Sequence, residues 1–483
     1  MIAGFMVPHP PLIVPEVGRG DESVIEETTK AYERVADMIA EIKPDTVIIS
    51  SPHSIMYADY FHISPGSGAE GSFGRFGASG VEMSVEYDRE LVQQIAERAK
   101  AAGLPAGTSG ERDPSLDHGT MVPLYFILRK YSDFKLVRIG LSGLSLADHY
   151  RLGMEISAAV ESLGRRAVYV ASGDLSHKLK SHGPYGFAPE GPEYDERIMD
   201  VMGSSEFDRL FDFDEDFLDK AAECGHRSFV MMAGAFDRTE VSVTRLSHQD
   251  VTGVGYGICT YETVTDSEGK PVRTDDRAFL DKWERREMEE LNQKKDSEDA
   301  YVRLARLSLE SYIKNGSPIK WESEGITVLD KEPSPEKRTE AENGLTKRRA
   351  GAFVSIHKNG RLRGCIGTIG PVEDKLADEI IANAISASTR DPRFPAITED
   401  ELPQLEINVD VLSEAEPIAS KDELDVKRYG VIVTKDFRRG LLLPDLDGVE
   451  TVDDQVSIAC RKAGISPDED GISLERFEVV RHI

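Results

Sequence analysis

Cysteine is scarce in this chain, and long apolar runs are absent from it. The chain has 4 cysteines in 483 residues, and no two of them form a C-x-x-C pair. We therefore expect neither a secreted disulfide scaffold nor a structural zinc knuckle, and this cysteine usage favours a reducing cytoplasm. No stretch approaches the roughly 20 consecutive apolar residues that cross a bilayer. The first residues also lack the basic segment of a signal peptide.

Positive charge is also in short supply. Lysine and arginine number 58 against 87 aspartates and glutamates, which gives a formal net charge of −29 and a pI near 4.9. Binding to the nucleic-acid backbone or to an anionic membrane needs a basic surface. We therefore expect neither nucleic acid nor a membrane as a partner. The length favours two or three domains.

Residues 1–262 alternate apolar, strand-like runs with amphipathic helical stretches. This alternation predicts an α/β domain built on a mostly parallel layered sheet. The clearest predicted strands are Thr46–Ser50, Lys135–Ile139, Ala167–Ala171 and Tyr256–Tyr261, and the clearest predicted helices are Ser23–Ile42, Asp88–Ala102 and Ala147–Leu163.

Residues 263–297 are highly charged and predict a linker that ends in an exposed helix. We expect Ser297 to cap the next helix and Gly316 to end it. Residues 298–483 then predict a smaller α+β domain. Its predicted elements are a hairpin turning at Asn359-Gly360, a helix at Leu376–Ser388, a strand at Leu405–Leu412, a second hairpin at Val431–Leu443 and a helix at Thr451–Ala463.

Four histidines of the first half lie beside predicted strands or in their loops: His9, His53, His118 and His177. The ends of strands are where α/β sheets place their sites. Imidazole is also the commonest transition-metal ligand and an acid–base group near neutral pH. A further cluster, Glu223-Cys224-Gly225-His226-Arg227, opens a predicted helix. Spacing alone supports packed, structural histidines and a functional site about equally.

Five motifs of residues 1–262 occur in the order of a known family: P-H-P-P, S-P-H-S, L-D-H-G-T-x-V-P-L, S-G-D-L-S-H and E-C-G-x-R-S. This set resembles the LigB-type class III extradiol dioxygenase superfamily, and most closely the branch that includes the Memo proteins. The resemblance implies that His9 and His53 are metal ligands and that Glu223 is the carboxylate of a 2-His-1-carboxylate triad. Such a triad implies Fe(II) as the cofactor.

The same resemblance implies roles around the metal. His177 matches the acid–base histidine, and His118 matches a second pocket histidine that orients substrate or oxygen. Asp117 and Asp174 would set the tautomers of the histidines beside them. Memo-like proteins carry a cysteine as the third ligand, and Cys224 is the alternative to Glu223, which we favour. A thiolate ligand would suit copper or zinc as well as iron.

In the second half, the segment L-R-G-C-I-G-T at residues 362–368 resembles the signature of the AMMECR family, and the similarity extends over about residues 298–480. Cys365 and Arg363 are candidates for a binding or covalent site, because Arg361 and Arg363 would favour a thiolate. The alternative is that Cys365 is a small core residue packed under a helix.

A fusion of these two halves resembles the proteins of the AmmeMemoRadiSam system, which implies a radical SAM enzyme as a partner. We expect a non-haem, iron-dependent, dioxygenase-like metalloenzyme that acts on a small chelating substrate. Two alternatives remain: a non-catalytic iron- or copper-binding accessory protein, and a metal-assisted hydrolase or lyase.

Overall fold

The computed structural model describes residues 1–358, 360–446 and 448–483. The chain divides into two compact units, Met1–Arg285 and Arg286–Ile483. Asn359, half of the first predicted hairpin turn, lies outside the described residues. Gly360 beside it has a φ of +72°, a value that glycine adopts without steric cost. Among the described residues, no helix is both long and apolar enough to span a membrane.

Unit 1 interleaves strands with helices. Its strands are β1 (Ala3–Val7), β2 (Thr46–Ser51), β3 (Phe61–His62), β4 (Gly68–Phe73), β5 (Ala78–Glu86), β6 (Ala106–Gly107), β7 (Lys135–Gly140), β8 (Ala167–Ser172), β9 (Val241–Gln249) and β10 (Tyr256–Thr263). Its helices are α1 (Pro15–Gly18), α2 (Glu26–Ile42), α3 (Arg89–Ala101), α4 (His118–Leu128), α5 (Leu146–Ser162), α6 (Glu190–Ser204), α7 (Glu215–Ala221) and α8 (His226–Ala235). Helix α9 (Phe279–Ser297) crosses the boundary between the units.

The main sheet of unit 1 has the strand order β7-β2-β8-β1-β10-β9. Strands β7, β2, β8 and β1 run parallel, and β10 and β9 complete the sheet in antiparallel pairing. Residues of β1, β2 and β8 are buried along the whole strand, because helices cover both faces of the sheet. One apolar cluster lies under α3, α5 and α8, and the other under α2 and α4. The predicted α/β class is confirmed.

Two small sheets accompany the main one. Strands β4 and β5 form an antiparallel hairpin, and β3 pairs with β6 in parallel. The hairpin combines glycines and exposed charges with few apolar residues, so its sequence carries a weak strand pattern.

The segment predicted as a linker is partly integrated into unit 1. The amide of Val264 donates to the carbonyl of Glu240, and Val272 pairs back with Val264. Phe279 and Leu280 are buried in the core under α5 and α8. These few apolar side chains anchor the first part of a segment whose composition is otherwise that of a solvated connector, and the segment ends in helix α9 as expected.

Unit 2 is an antiparallel sheet with helices packed on it. Its strands are β11 (Ala352–Lys358), β12 (Arg361–Gly367), β13 (Leu405–Leu412), β14 (Glu416–Ile418), β15 (Tyr429–Lys435), β16 (Arg438–Leu442) and β17 (Ser473–His482). Its helices are α10 (Ala300–Asn315), α11 (Trp321–Leu329), α12 (Pro335–Lys347), α13 (Leu376–Thr389) and α14 (Val452–Ala463). The sheet order is β12-β11-β13-β17-β15-β16, with β14 paired to β17. The predicted α+β class is confirmed.

One predicted cap in unit 2 is wrong. Ser297 is the last residue of α9, and the N-cap of α10 is Asp299, whose carboxylate accepts from the amides of Tyr301 and Val302. Aspartate caps a helix as well as serine does, and Asp299 lies two residues after Ser297. Gly316 ends α10 in the left-handed conformation, as predicted.

Candidate metal centre

Three neighbouring parallel strands end at the same edge of the main sheet, and the candidate site is formed by residues that directly follow them. His9 follows β1, His53 follows β2, and Asp174 follows β8, each two residues beyond the strand. Because β2, β8 and β1 are adjacent in the sheet, their carboxyl ends bring these side chains together. Cys224 reaches the same place from the loop between α7 and α8.

Two imidazoles and a thiol converge here. The Nε2 atoms of His9 and His53 are 3.0 Å apart, and Cys224 Sγ is 3.6 Å from His9 Nε2. All three donor atoms lie within 4.8 Å of one another. Donors about 2.0–2.3 Å from one tetrahedral ion are about 3.3–3.8 Å apart. The separation of Cys224 Sγ from His9 Nε2 falls within this range and that of the two Nε2 atoms is slightly shorter, so a small opening of the two imidazoles would let the three atoms share a cation.

The orientation of His9 follows from its hydrogen bonds. Ser172 Oγ donates to the carbonyl of Gly119 at 2.5 Å and lies 3.0 Å from His9 Nδ1. Because the serine proton is used on Gly119, Nδ1 of His9 must be the protonated nitrogen and donate to Ser172. The lone pair of His9 is then on Nε2, which faces His53 and Cys224.

The histidines of the centre are held neutral. Burial, with a smaller effect of His53, holds the pKa of His9 well below its usual value. Burial first and His53 second lower the pKa of His118 and that of His177 to about 4 each. Neutral imidazoles keep the lone pair that binds a metal ion.

Glu223 and Cys224 point to different places. Glu223 Oε2 accepts from the backbone amide of His226 at 2.5 Å, at the first turn of α8. Burial raises the pKa of Glu223 to about 7. Among the described residues, Cys224 and not Glu223 belongs to the cluster with His9 and His53. Burial first, and the charge of Asp174 second, raise the pKa of the Cys224 thiol well above its usual value.

Asp174 lies between the histidines. Its Oδ1 accepts from the backbone amide of His9 at 2.7 Å, and its Oδ2 is 3.9 Å from His9 Nε2 and 4.0 Å from His177 Nε2. Burial raises the pKa of Asp174 to about 7. Asp174, His177 and Cys224 form a second group of donor atoms within 4.8 Å of one another.

Asp117 is engaged elsewhere than at His118. It is the N-cap of α4, where Oδ1 accepts from the amide of Thr120 and from Ser51 Oγ. His118 instead stacks on His53, with 4.0 Å between ring centroids. Packing therefore positions the ring of His118. Among the described contacts, Asp117 makes no hydrogen bond to His118 that would set the tautomer of this histidine.

A cavity of about 1030 Å³ opens beside the centre. His53 and His118 are on its wall, and strands β4 and β5 supply much of the remainder. Arg138 also lines it, although this side chain is 1% exposed and donates to Ser64 Oγ and the carbonyl of Ser115. Sequence reasoning missed Arg138. The available signal was a lone arginine inside the apolar strand KLVRI.

The candidate site of unit 2 has a different arrangement from the one expected. Arg363 donates to Glu401 at 2.9 Å and to the carbonyl of Pro395 at 2.8 Å. Arg393 donates to the carbonyl of Cys365 at 3.1 Å. The thiol of Cys365 lies 3.2 Å from Ser355 Oγ. Arg363 is thus paired with Glu401, whereas Arg393, which is itself paired with Asp391 at 2.7 Å, lies beside the backbone of Cys365.

Imidazoles that follow parallel strands, together with a thiol from the loop between α7 and α8, define an α/β protein with a candidate metal centre. Residues 3–259 match the family described as the catalytic LigB subunit of aromatic ring-opening dioxygenase, and residues 302–482 match AMMECR1. The chain therefore belongs to the LigB family and carries an AMMECR1 domain in its second half, which confirms the resemblance drawn from the motifs.

Proteins of other organisms are similar to all or part of this chain. A protein of Clostridium acetobutylicum is 41% identical over 99% of this chain and 98% of its own length. A protein of Thermotoga maritima is 47% identical over 38% of this chain and 98% of its own length. The uncharacterized protein JW3007 of Escherichia coli K12 covers 54% of this chain and 100% of its own, at 14% identity and a TM-score of 0.38.

Proposed function

We propose that unit 1 is a metal-dependent, dioxygenase-like enzyme in which His9, His53 and Cys224 hold one ferrous ion. The observation that carries the proposal is the convergence of two neutral imidazoles and a thiol, of which the imidazole of His53 also lines a cavity of about 1030 Å³. Membership of the LigB family supports it. The substrate is a small chelating molecule, because the cavity reaches the donor cluster at His53 and has about the volume of a small-ligand site.

The donor set fits a transition metal. Neutral imidazole and thiolate are ligands of iron, copper and zinc, whereas calcium and magnesium prefer oxygen. His9, His53 and Cys224 would hold the ion, and a bound ferrous ion would supply the activation of a chelating diol and of dioxygen.

Residues around the centre would handle protons and position the substrate. His177 is neutral near pH 7, since burial lowers its pKa to about 4, and it can therefore accept a proton from a substrate hydroxyl. His118, stacked on His53 at the cavity wall, would hold the substrate against the donor atoms. Tyr185 stacks on His177, with 5.0 Å between centroids, and limits the positions that this ring can take.

Metal analysis and product formation test the proposal. We expect anaerobically purified protein to hold about one ferrous ion per chain and His53→Ala to lose most of it. His182→Ala, a change of an exposed histidine outside the cluster, is the matched control and should keep its iron. Full iron retention by His53→Ala would refute the site. Aerobic incubation of the ferrous protein with catechols should give yellow ring-opened products.

A second candidate function is favoured by Cys224 itself. A thiolate makes the donor set softer and suits copper, which fits an accessory protein that binds metal without turning over a substrate. In that case unit 2 would dock a partner, and a radical SAM enzyme is the partner we propose. Iron or copper binding without products across the catechol panel would favour this role.

A further inference from the structure

We propose that Cys365 is a thiol-exchange site of unit 2, where the disulfide of a small, carboxylate-bearing thiol forms a mixed disulfide with the chain. Arg393 and Lys462 attract the carboxylates of the incoming molecule. The site lies entirely within unit 2 and is independent of the metal centre proposed for unit 1.

The sulfur of Cys365 lies on strand β12 among hydrogen-bond donors. Ser355, on the neighbouring strand β11, donates its hydroxyl to Cys365 Sγ at 3.2 Å. Arg393 donates to the carbonyl of Cys365 at 3.1 Å. The pKa of Arg393 is raised, mainly by Asp391 and to a smaller extent by a side-chain hydrogen bond with Cys365. Donors around a sulfur stabilise the thiolate, which is the nucleophilic form of cysteine.

Asp391 orients the guanidinium of Arg393. The carboxylate of Asp391 has a side chain that is 2% exposed, accepts from the amide of Cys365 at 2.9 Å and pairs with Arg393 at 2.7 Å. The side chain of Arg393 is 53% exposed. The anionic end of this pair is therefore buried and its cationic end faces solvent. An anion that approaches Cys365 from solvent meets the guanidinium first.

Lys462 supplies a second cation from another part of unit 2. It belongs to α14, which packs against β16, whereas β12 packs against α13 at the other end of the sheet order. Burial lowers the pKa of Lys462, an effect that Cys365 opposes and Arg393 reinforces, so its ammonium interacts with both side chains. Among the described residues, Lys462 forms no ion pair. Ligand sites commonly lie where two packed cores meet.

Disulfide exchange is a reaction that these groups can support alone. Among the described contacts, neither a histidine nor an unpaired carboxylate touches Cys365 Sγ. The site therefore offers no general base of the kind that activates the nucleophile in acyl transfer. Exchange needs a thiolate and an accessible sulfur, and Cys365 is partly exposed.

The step is balanced without a further reactant. The Cys365 thiol loses its proton to water, and the thiolate attacks one sulfur of the incoming disulfide. The old S–S bond breaks as the new one forms, and the other half departs as a thiolate that takes up a proton. The incoming disulfide is the oxidant, and its departing half is reduced to a thiol. Because Cys460, the other cysteine of unit 2, is 0% exposed, an external thiol is needed to reverse the reaction.

Reaction with disulfides of opposite charge tests the inference. The reduced full chain is incubated with glutathione disulfide, whose halves are anionic, or with cystamine, whose halves are cationic. Peptide mass spectrometry follows the adduct at Cys365, and each rate is divided by that of the same reagent with 2-mercaptoethanol to correct for intrinsic reactivity. We expect the normalised rate with glutathione disulfide to be at least about 10-fold higher, although the net charge of −29 favours the cationic reagent.

Charge-removing variants assign this preference to the two cations. Lys462→Gln and Arg393→Gln should each lower the ratio of the two normalised rates about 5-fold. Lys314→Gln removes an exposed lysine elsewhere in unit 2 and should leave the ratio unchanged. If loss of the Asp391 pair unfolds Arg393→Gln, buried Cys460 becomes reactive, and Lys462→Gln then decides. Equal normalised rates on the parent chain, a faster reaction with cystamine, or a ratio that survives Lys462→Gln would overturn the proposal.

Discussion

Ser172 Oγ lies 3.0 Å from Nδ1 of His9 and donates its own proton to the carbonyl of Gly119. The hydroxyl thereby selects the tautomer that presents the lone pair of His9 Nε2 to the other donors of the candidate metal centre. Ser172→Ala removes this selection, and we expect metal affinity to fall about 10–100-fold. Isothermal titration with a divalent metal measures the change.

Ser228→Ala is the control for that experiment. Ser228 Oγ is buried and lies 2.6 Å from Ser50 Oγ, outside the donor cluster. Its loss should lower the free energy of unfolding by about 1 kcal/mol and leave metal affinity unchanged. Equal metal affinities of the two serine variants would contradict the tautomer argument.

Neighbouring substitutions separate the two candidate third ligands. Cys224→Ala removes the sulfur that faces His9, so we expect bound metal to fall at least about 10-fold. Glu223→Gln keeps an oxygen that can accept from the amide of His226 and should retain the metal. Metal content per chain after desalting decides between them, and the reverse pattern would restore Glu223 as the ligand.

Burial of Asp174 predicts how the stability of the metal-free protein depends on pH. Its pKa is raised to about 7 in the folded state, above the unfolded value of about 3.9. The stability that the group contributes is therefore present below about pH 4 and is lost as pH rises to about 7. Asp174→Asn removes this loss, and its advantage over the parent should grow on the order of 4 kcal/mol between pH 4 and pH 8.

Tryptophan fluorescence makes that measurement specific to unit 1. The chain has 2 tryptophans, Trp283 in unit 1 and Trp321 in unit 2. In a Trp321→Phe background, urea unfolding reports on unit 1 alone. A pH-independent difference between Asp174→Asn and its parent would show that Asp174 is ionised in the folded state throughout.

Gly173 brings the Cys224 loop against the end of β8. A Cβ at Gly173 would be 2.1 Å from Cα of Gly225, so the backbone after Cys224 would have to move. We expect Gly173→Ala to destabilise unit 1 by about 1–3 kcal/mol and to weaken metal binding. Gly80→Ala meets no atom within 4 Å and should change neither property in the same assays.

Cys365 and Cys460 differ in exposure within unit 2. Cys460 is 0% exposed, whereas Cys365 is partly exposed. We expect iodoacetamide to modify Cys365 at least about 10-fold faster than Cys460 in the native chain. Peptide mass spectrometry over a time course gives both rates, and comparable rates would show that Cys365 is a core residue.

Periodic elements were predictable from sequence to within a few residues. The predicted strand Leu405–Leu412 has the same ends in the structure, and the predicted bounds of α5 and α13 differ from the observed ones by at most one residue. Such elements are predictable because the spacing of apolar residues that become buried is a local property of the sequence. Weakly patterned elements were missed. The β4–β5 hairpin has little apolar periodicity, and α4 contains Pro123, which argues against a helix.

The sequence by itself determined the two fold classes, the family and the set of residues near the candidate centre, because motif order and periodicity are written along the chain. Which of Glu223 and Cys224 faces the histidines was decided only by the tertiary structure. The start of α8 binds the carboxylate to the amide of His226, and close contact of Gly173 with Gly225 places the sulfur beside His9. Adjacent residues have nearly the same sequence neighbourhood, so the contacts that each side chain makes in the folded chain assign them opposite directions.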